Sequence, residues 1–509
     1  MSLDSSLSIA NSGITNINAQ LALVSHNVAN ASTPGYVTEV ANQESISSGG
    51  VGMGVETGPA TRDVSAAMQA GLYTQNAETS ALQTTTTALQ AIDAVSGTPG
   101  DGTDIASLLG DLQDAFSTLE TDPSNQTQQS SVVSAAATLA SGINTLADAY
   151  TTQRQTAENS IVSSVASINQ SLSTIGALSD QIIQLQASGQ STADLENQRD
   201  AAVASLSQQV SIQVLEQPNG DMLITTASGT TLPIHSGSDP LSTSGANVEP
   251  GSYYPGGGIA GIMLGGVDIT DQLTGGSLGA NITLRDTTLP TDQGELDEFS
   301  QNLASRFSAQ GLTLFTDPTG AVPAGGGSPT QSGYVGFASE IQVNPAVTAT
   351  PSLVRDGTNA IAGSANGASA FTPNPSGGPA GFTTLINRVL TYALGTDAQD
   401  GVAQPTSNTT GLGATGTLSA PYTAPAALSD IASTLLASQA EVSSSTSTAL
   451  TSSQAVQTAL QNNYNADTNV SIDSQMSDMI ALQNAYGANA RVISGVEQMW
   501  TDLMTAVGA

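Results

Sequence analysis

The sequence predicts an α+β protein: an elongated helical stalk, built jointly by the N- and C-terminal segments as coiled-coil-like helices, carries an inserted β-rich outer module. Three observations predict it. A heptad stripe starts at Leu3, and a second one starts at Ile472. Between them, near Val210, the hydrophobic period drops from about 3.5 residues to two, and it returns to a helical period at Leu428.

The first stripe is Leu3, Leu7, Ala10, Ile14, Ile17, Leu21, Val24 and Val28, in alternating steps of four and three. A stripe this narrow suits a helix lying against another helix more than one sunk in a globular core. It runs into NVANASTPGYVTEV, residues 27–40, with no conventional cap. There Pro34 forbids continuation, Gly35 permits the bend, and Tyr36 is placed to pack on a neighbouring helix.

The second stripe is Ile472, Met476, Met479, Gln483, Tyr486, Ala490, Ile493, Glu497, Trp500, Met504 and Val507. Gln483 and Glu497 interrupt it, and Leu482 and Val496 beside them can take over the contact. The two ends match in kind and length, which predicts a terminal helical pair. A lone two-helix unit buries little, and isolated helices are marginal in water. Both ends are therefore expected to be poorly ordered in the free monomer and to fold as copies pack side by side.

Residues 61–95 read as helix, and Ile105, Leu108, Leu109, Leu112, Phe116 and Leu119 form an amphipathic face that ends at the Asp-Pro-Ser-Asn turn, 122–125. A longer helix follows through Leu139, Ile143, Leu146, Tyr150, Ile161, Val165, Ile168, Leu172 and Ile175 towards Leu185. It breaks at Ser-Gly-Gln-Ser, 188–191, and a short helix resumes through Leu195, Arg199 and Leu206. Val210, Ile212 and Val214, the turn Pro218-Asn219-Gly220-Asp221, and then Met222 and Ile224 predict a β-hairpin. Onward to about residue 420 the chain is rich in Gly, Pro, Ser and Thr, with strand-like runs such as GIMLGGVDIT and NITLRD and two helical patches, 291–310 and 382–394. Leu428, Ile431, Leu435, Val442, Ala449, Val456 and Leu460 restore a helix, expected to end at NNYNADTN, 462–469. The domains implied are 1–60 with 466–509, a terminal helical unit; 61–209 with 424–465, a long-helix stalk; and 210–423, the outer module, with room for two subdomains.

Composition excludes several classes of function. All eight basic residues are arginine, scattered from Arg62 to Arg491, and the net charge is -34. Nucleic acid and anionic lipid need clustered cations to displace counterions, so neither is an expected partner. There is no cysteine, hence no disulfide and no thiolate chemistry. No run approaches the roughly 18 apolar residues of a membrane span. The N-terminal stretch has neither a basic leader nor an apolar signal-type run, its first basic residue being Arg62.

No catalytic, metal or cofactor site is expected. His26 and His235 stand far apart in sequence, without companions that would build a metal or Ser-His-acid device, and read as ordinary packing or surface residues. Asp292, Glu295, Asp297 and Glu298 follow Thr291 at an expected helix start, where carboxylates favour the exposed amides. The glycine-rich runs lack a phosphate-loop lysine. Segments 323–333 and 364–381 read as exposed connections.

SGITNINAQLALVSHNVANASTPGYV, 12–37, resembles the N-terminal signature of the bacterial flagellar axial proteins, the rod, hook and hook-associated family. In that family a heptad helix runs into an Asn-x-Ala-Asn and Thr-Pro-Gly-Tyr segment, here Asn27, Asn30, Thr33, Pro34, Gly35 and Tyr36. The stretch 472–504 resembles the matching C-terminal end, with Gln483, Ala485 and Tyr486 as its core. Within the family, TADLENQRDAAVASLSQQVSIQVLEQPNGDMLITTASGTTL, 192–232, and GSLGANITLRDTTLPTDQGELDEFSQNLASRF, 276–307, resemble the hook-associated branch. The chain departs from the family pattern at Val37, Thr38 and Glu39, where a basic or amide pair is usual, and at RFSAQG, 306–311, which lacks the usual Asn-x-x-His.

The resemblance implies a structural, non-catalytic subunit, exported through the flagellar type III apparatus without leader cleavage and standing outside the cell at the hook-filament junction. It further implies a ring of about eleven copies joined head to tail. The implied partners are the hook protein below, a second junction protein above, and a cytoplasmic export chaperone on the C-terminal helix. Two other readings share some of these features: a hook or distal-rod protein, which has the same terminal motifs, and a secreted acidic adhesin or enzyme with a flagellar export tail, whose ligand 315–425 would bind.

Overall fold

The computed structural model describes residues 3–508 except 34, 98, 99, 101, 236 and 238. Helix α1 (Leu3–Asn30) leads through strands β1 (Glu39–Val40), β2 (Gln43–Ser48), β3 (Val51–Thr57) and β4 (Thr61–Arg62) into helices α2 (Ala66–Ser96), α3 (Ile105–Thr121), α4 (Gln126–Ala187) and α5 (Ala193–Gln209). The hairpins β5 (Ile212–Glu216) with β6 (Met222–Thr226), and β7 (Met263–Leu264) with β8 (Val267–Asp268), precede α6 (Gly276–Thr283) and α7 (Leu289–Ala309). Strand β9 (Phe315–Thr316), α8 (Phe337–Glu340), β10 (Gln342–Val343), α9 (Pro345–Ala349), α10 (Leu353–Asp356) and α11 (Thr384–Arg388) follow, then two more small hairpins, β11 (Asp397–Gln399) with β12 (Val402–Ala403) and β13 (Thr410–Leu412) with β14 (Leu418–Ser419). Two long helices, α12 (Leu428–Thr468) and α13 (Ile472–Val507), complete the order.

Side-chain caps explain where the long helices start. Asp104 accepts from the amides of Ala106 and Ser107 at the head of α3, and Asn125 does the same for Thr127 and Gln128 at the head of α4. With 62 residues, α4 is roughly 93 Å long at about 1.5 Å per residue and forms the axis of the molecule. Its inner face meets two separate cores. Leu139, Ile143 and Tyr150 join Phe116 of α3, Phe299 and Phe307 of α7, and Leu428 and Leu435 of α12. Ile161, Ile168, Leu172 and Ile175 join Val203 and Leu206 of α5, Ile212 and Ile224 of the hairpin, and Leu278 of α6.

A buried ionic layer separates the two cores. Arg285 meets Glu158 at 2.7 Å and Asp286 at 2.8 and 2.7 Å, while Arg154 donates to the carbonyls of Arg285 (3.2 Å) and Ser252 (2.6 Å). Buried charges are tolerated only when hydrogen-bonded, and this pairing fixes the register of α4 against the segment between α6 and α7.

Several local expectations need correction. NITLRD is helical: α6 continues through a π-turn at 284–288 into α7, because Leu278, Leu284 and Leu289 bury between α2, α4 and α7 and tertiary packing overrides the β-branched residues. The helical patch expected at 291–310 thus starts earlier, at Gly276. NNYNADTN stays helical to Thr468, and the break falls at 469–471. Every described sheet has only two strands, so 210–423 holds less β structure than its period suggested. A hairpin that the sequence pattern does not show is β2–β3. It lies on α1, where Ser12 Oγ accepts from the Val55 amide (3.2 Å) and Thr57 Oγ1 donates to Asn16 Oδ1 (2.7 Å).

Candidate assembly site

The turn after α1 is organised around one side chain. Asn27 is 1% exposed. Its Nδ2 donates to the Glu39 carbonyl (2.9 Å) and to Gln475 Oε1 of α13 (3.2 Å). Its Oδ1 accepts from the Tyr36 hydroxyl (2.8 Å) and the Glu39 amide (3.0 Å). Asn27 therefore closes the 27–39 segment and ties it to the other terminal helix. Asn30 and Thr33 continue the turn, the Thr33 amide donating to the Asn30 carbonyl at 2.8 Å and Tyr36 N to the Thr33 carbonyl at 3.2 Å. Gly35 takes φ 77°, a left-handed conformation that suits glycine. Pro34 lies outside the described residues.

Tyr36 packs on the neighbouring helix α1: its buried hydroxyl bonds Asn27, and its ring meets His26 edge-on at 5.8 Å. Burial, with Glu39 and Asp194 nearby, raises its pKa well above the usual tyrosine range. The atypical pair at 38–39 has structural work: the Thr38 amide and hydroxyl both donate to the Thr468 carbonyl (2.9 and 3.0 Å), covering the end of α12. His26 also has companions that its sequence neighbours did not reveal, with Nδ1 3.8 Å from Glu39 Oε1 and Nε2 3.8 Å from Asp194 Oδ2.

The internal motif 192–232 meets the turn here. Arg62, just after the turn, bonds Glu196 Oε2 (2.8 Å), Asn197 Oδ1 (2.9 Å) and Asp200 Oδ2 (2.8 Å) on α5. Burial opposes the charge on Arg62, but Asp200 and Glu196 outweigh it and raise its pKa. Burial likewise opposes the Glu196 charge, while Thr192 and Arg62 hold its carboxyl below the usual range. One turn along, Arg199 clamps the β5–β6 hairpin through the Gly220 carbonyl (2.7 Å) and Glu216 (2.6 Å). Segment 194–200 thus fastens the N-terminal turn on one side and the hairpin on the other.

The terminal helices α1 and α13 pack along their length. Gly13 allows the close approach, since a Cβ there would lie 3.2 Å from Asn489 Nδ2. Of the N-terminal seam, Ile17 and Val24 are buried with Ala10; Leu3, Ile14, Leu21 and Val28 are half-buried; Leu7 is exposed. The C-terminal seam divides. Met479, Ala490 and Ile493 are half-buried, whereas Ile472, Met476, Tyr486, Trp500 and Met504 are exposed, Trp500 at 53% and Met504 at 62%. Gln475, Leu482 and Val496 make the contact instead, so the stripe touching α1 is turned by a fraction of a helical turn from the apolar heptad. Ile472, Met476, Ile480, Tyr486, Trp500, Leu503, Met504 and Val507 are left as an exposed apolar face.

The acidic cluster is not an exposed helix start. Glu295, Asp297 and Glu298 are each at most 3% exposed inside the continuous α6–α7 helix. Asp297 accepts from the amides of Gly336 (2.7 Å) and Ala338 (2.8 Å) at the head of α8, and Glu298 from Tyr334 Oη (2.6 Å) and the Asn408 amide (2.8 Å). Burial, and next Asp292, push Glu295 up to about 9, with Tyr422 opposing. Asp297 and Glu298 thus anchor loops. Both loops expected as exposed connections are exposed or half-buried over most of their length, and each is pinned, 323–333 by buried Gln331 on the Gly294 carbonyl (2.8 Å) and 364–381 by buried Phe371 paired with Ile361. His235 sits between Asp180 and Asp221 at 3.4 and 3.2 Å. Among the described residues no helix is long and apolar enough to cross a membrane.

Comparison with known proteins bears on the parts just described. Residues 89–321 match the family model of the flagellar hook-associated protein FlgK helical domain, and residues 461–506 match that of the flagellar basal body rod FlgEFG protein C-terminal. The chain is 28% identical over 329 residues to flagellar hook-associated protein 1 of Salmonella typhimurium, covering 60% of this chain and 56% of the relative, and the same holds for that of Salmonella typhi. The chain thus spans little more than half the length of these relatives. A solved structure, the flagellar hook junction protein FlgK from Burkholderia pseudomallei, is 26% identical and matches 50% of this chain and 46% of its own with a TM-score of 0.41.

Proposed function

We propose that this chain, which is a FlgK-type hook-associated protein of the bacterial flagellum, forms the junction ring that connects the hook to the filament. The observation that carries this reading is the apolar face left on α13, where Trp500, Met504 and Val507 stand 53%, 62% and 78% exposed. So many exposed apolar side chains on one helix are costly in water and mark a protein contact. A further copy of the same terminal pair is its natural cover: the seam residues of α1 and α13 then do between subunits what they do only partly within one.

In this reading 1–60 with 466–509 line the inner tube, 61–209 with 424–465 form the stalk, and 210–423 faces outward. About eleven copies close head to tail, with the hook protein on one side and the second junction protein on the other. During export through the type III apparatus the C-terminal helix is held by a cytoplasmic chaperone that covers the same apolar face. The role is mechanical, and no step of it needs a cofactor.

The test is electron microscopy of cells deleted for the gene. Hooks without filaments, with flagellin released to the medium, are the expected result. Missing hooks would instead mark a hook or distal-rod protein. If deleting 315–425 leaves motility intact but abolishes adhesion, the outer module has a binding role that the junction reading does not contain.

A further inference from the structure

We propose that His26, Glu39 and Asp194 form a divalent-cation site, best suited to zinc, that pins the turn after α1 to the start of α5. One ligand atom from each of the three lies within 4.8 Å of the other two, the only such group among the described residues. Ligands about 2.0–2.2 Å from a tetrahedral zinc lie about 3.4 Å apart, so the observed 3.8 Å between His26 Nε2 and Asp194 Oδ2 needs only a small contraction. Asp194 supplies it, because its side chain is 61% exposed and free to move.

Two further observations point to a ligand. First, Glu39 Oε1 is buried without any hydrogen-bond partner, on a side chain only 6% exposed. A desolvated carboxylate oxygen with no donor is expensive. Second, the histidine is oriented as a ligand requires. The Tyr36 hydroxyl donates to Asn27 Oδ1, so its oxygen is free to accept from His26 Nδ1–H at 3.2 Å. That tautomer leaves the Nε2 lone pair facing Asp194. Metal-bound imidazoles are held in this way by a partner on the second nitrogen.

The donor set, one imidazole and two carboxylates, favours zinc over calcium or magnesium, which prefer oxygen alone. Remaining positions open on a cleft of about 750 Å³ bordered by Leu23, Pro59 and Leu185, which has room for water ligands. Beside the Arg62 ion pairs, the cation would be a second fastening between the terminal pair and the long helices, and so would set the angle at which α1 and α13 leave the body. This proposal does not depend on the junction-ring reading.

The experiment is calorimetric titration of the chelator-treated full chain with zinc chloride, in excess magnesium to occupy diffuse acidic sites. The expected result is one zinc per chain and a rise in melting temperature on binding. Asp194→Asn and His26→Gln should weaken that binding at least about tenfold, while His235→Gln should leave it unchanged. Because Asp194 is exposed, Asp194→Asn keeps the test valid even if His26→Gln disturbs folding. Absence of stoichiometric binding to the wild type, or equal affinity in Asp194→Asn, would overturn the proposal. A melting temperature that varies with pH but not with zinc would do the same, showing that Glu39 and Asp194 share a proton instead.

Discussion

Helices α4 and α13 are both long, amphipathic and poor in charge, yet they end up in opposite situations. Within its own chain α4 buries 22 of its 62 residues, Leu139, Ile143 and Tyr150 to completion. Along all 36 residues of α13 only Gln475 and Val496 are buried, and its single tryptophan stands in solvent. The difference lies in the number of partners. Around α4 stand α2, α3, α5, α6 and α7, whereas among the described residues the main neighbour of α13 is α1. A two-helix contact covers one stripe, and α13 carries more apolar surface than one stripe can hide. On the proposed reading the body is complete as a monomer, and the terminal pair is completed by a neighbouring copy.

The contrast is broken most severely by charge on the terminal seam. Ile14→Asp with Ile17→Asp should abolish assembly into sedimenting rings while leaving the circular dichroism and melting of residues 61–460 intact. A global loss of helical signal would contradict the division. Conversely, Phe307→Ala should lower the stability of the body by about 3–5 kcal/mol, since Phe307 packs against Phe315 at 5.6 Å and Phe116 at 6.0 Å with no exposure. Chemical denaturation measures it. Trp500→Ala, equally aromatic but exposed, should shift the same curve by less than about 0.5 kcal/mol and still prevent assembly.

Smaller effects refine the boundary between the two regions. Asn27→Ala leaves the Glu39 amide and the Tyr36 hydroxyl without their acceptor and should cost about 1–3 kcal/mol locally, read as faster hydrogen exchange at 36–39 and 475 with the α4 amides unchanged. Glu295 sharpens the body side. Its folded pKa of about 9 stands above the ordinary value of 4.5, so the native state holds a proton that the unfolded chain releases. Stability from this group is full below about pH 4.5 and is lost as pH rises through 9. Glu295→Gln should flatten the decline in melting temperature across that window.

Much of this was legible in the sequence, for identifiable reasons. The long helices announced themselves by periodicity: Ile105, Leu108, Leu109, Leu112, Phe116 and Leu119 are all buried, and Val214 pairs with Ile224 across the predicted turn. What failed was set by contacts distant in sequence. NITLRD looks like a strand until α2 and α4 close on Leu278 and Leu284. The carboxylates 295–298 look solvent-facing until loops 334–338 and 408 deliver amides to them. His26 looked solitary because its companions lie 13 and 168 residues away. The seam on α13 shows a subtler limit. Its heptad is real, but a stripe states that a helix wants partners without stating which side the first one takes. Gln475, drawn inward by Asn27, turned the helix and left Met476 outside.

The measurement that bears most directly on the incomplete terminal pair is hydrogen exchange along α13, made on a verified monomer and again on isolated hook-filament junctions. An incomplete pair shows fast exchange over 472–507 in the monomer, against slow exchange over 139–175 of α4 in the same sample, and strong protection of 472–507 in the junction. Equal protection of 472–507 in both samples would contradict it.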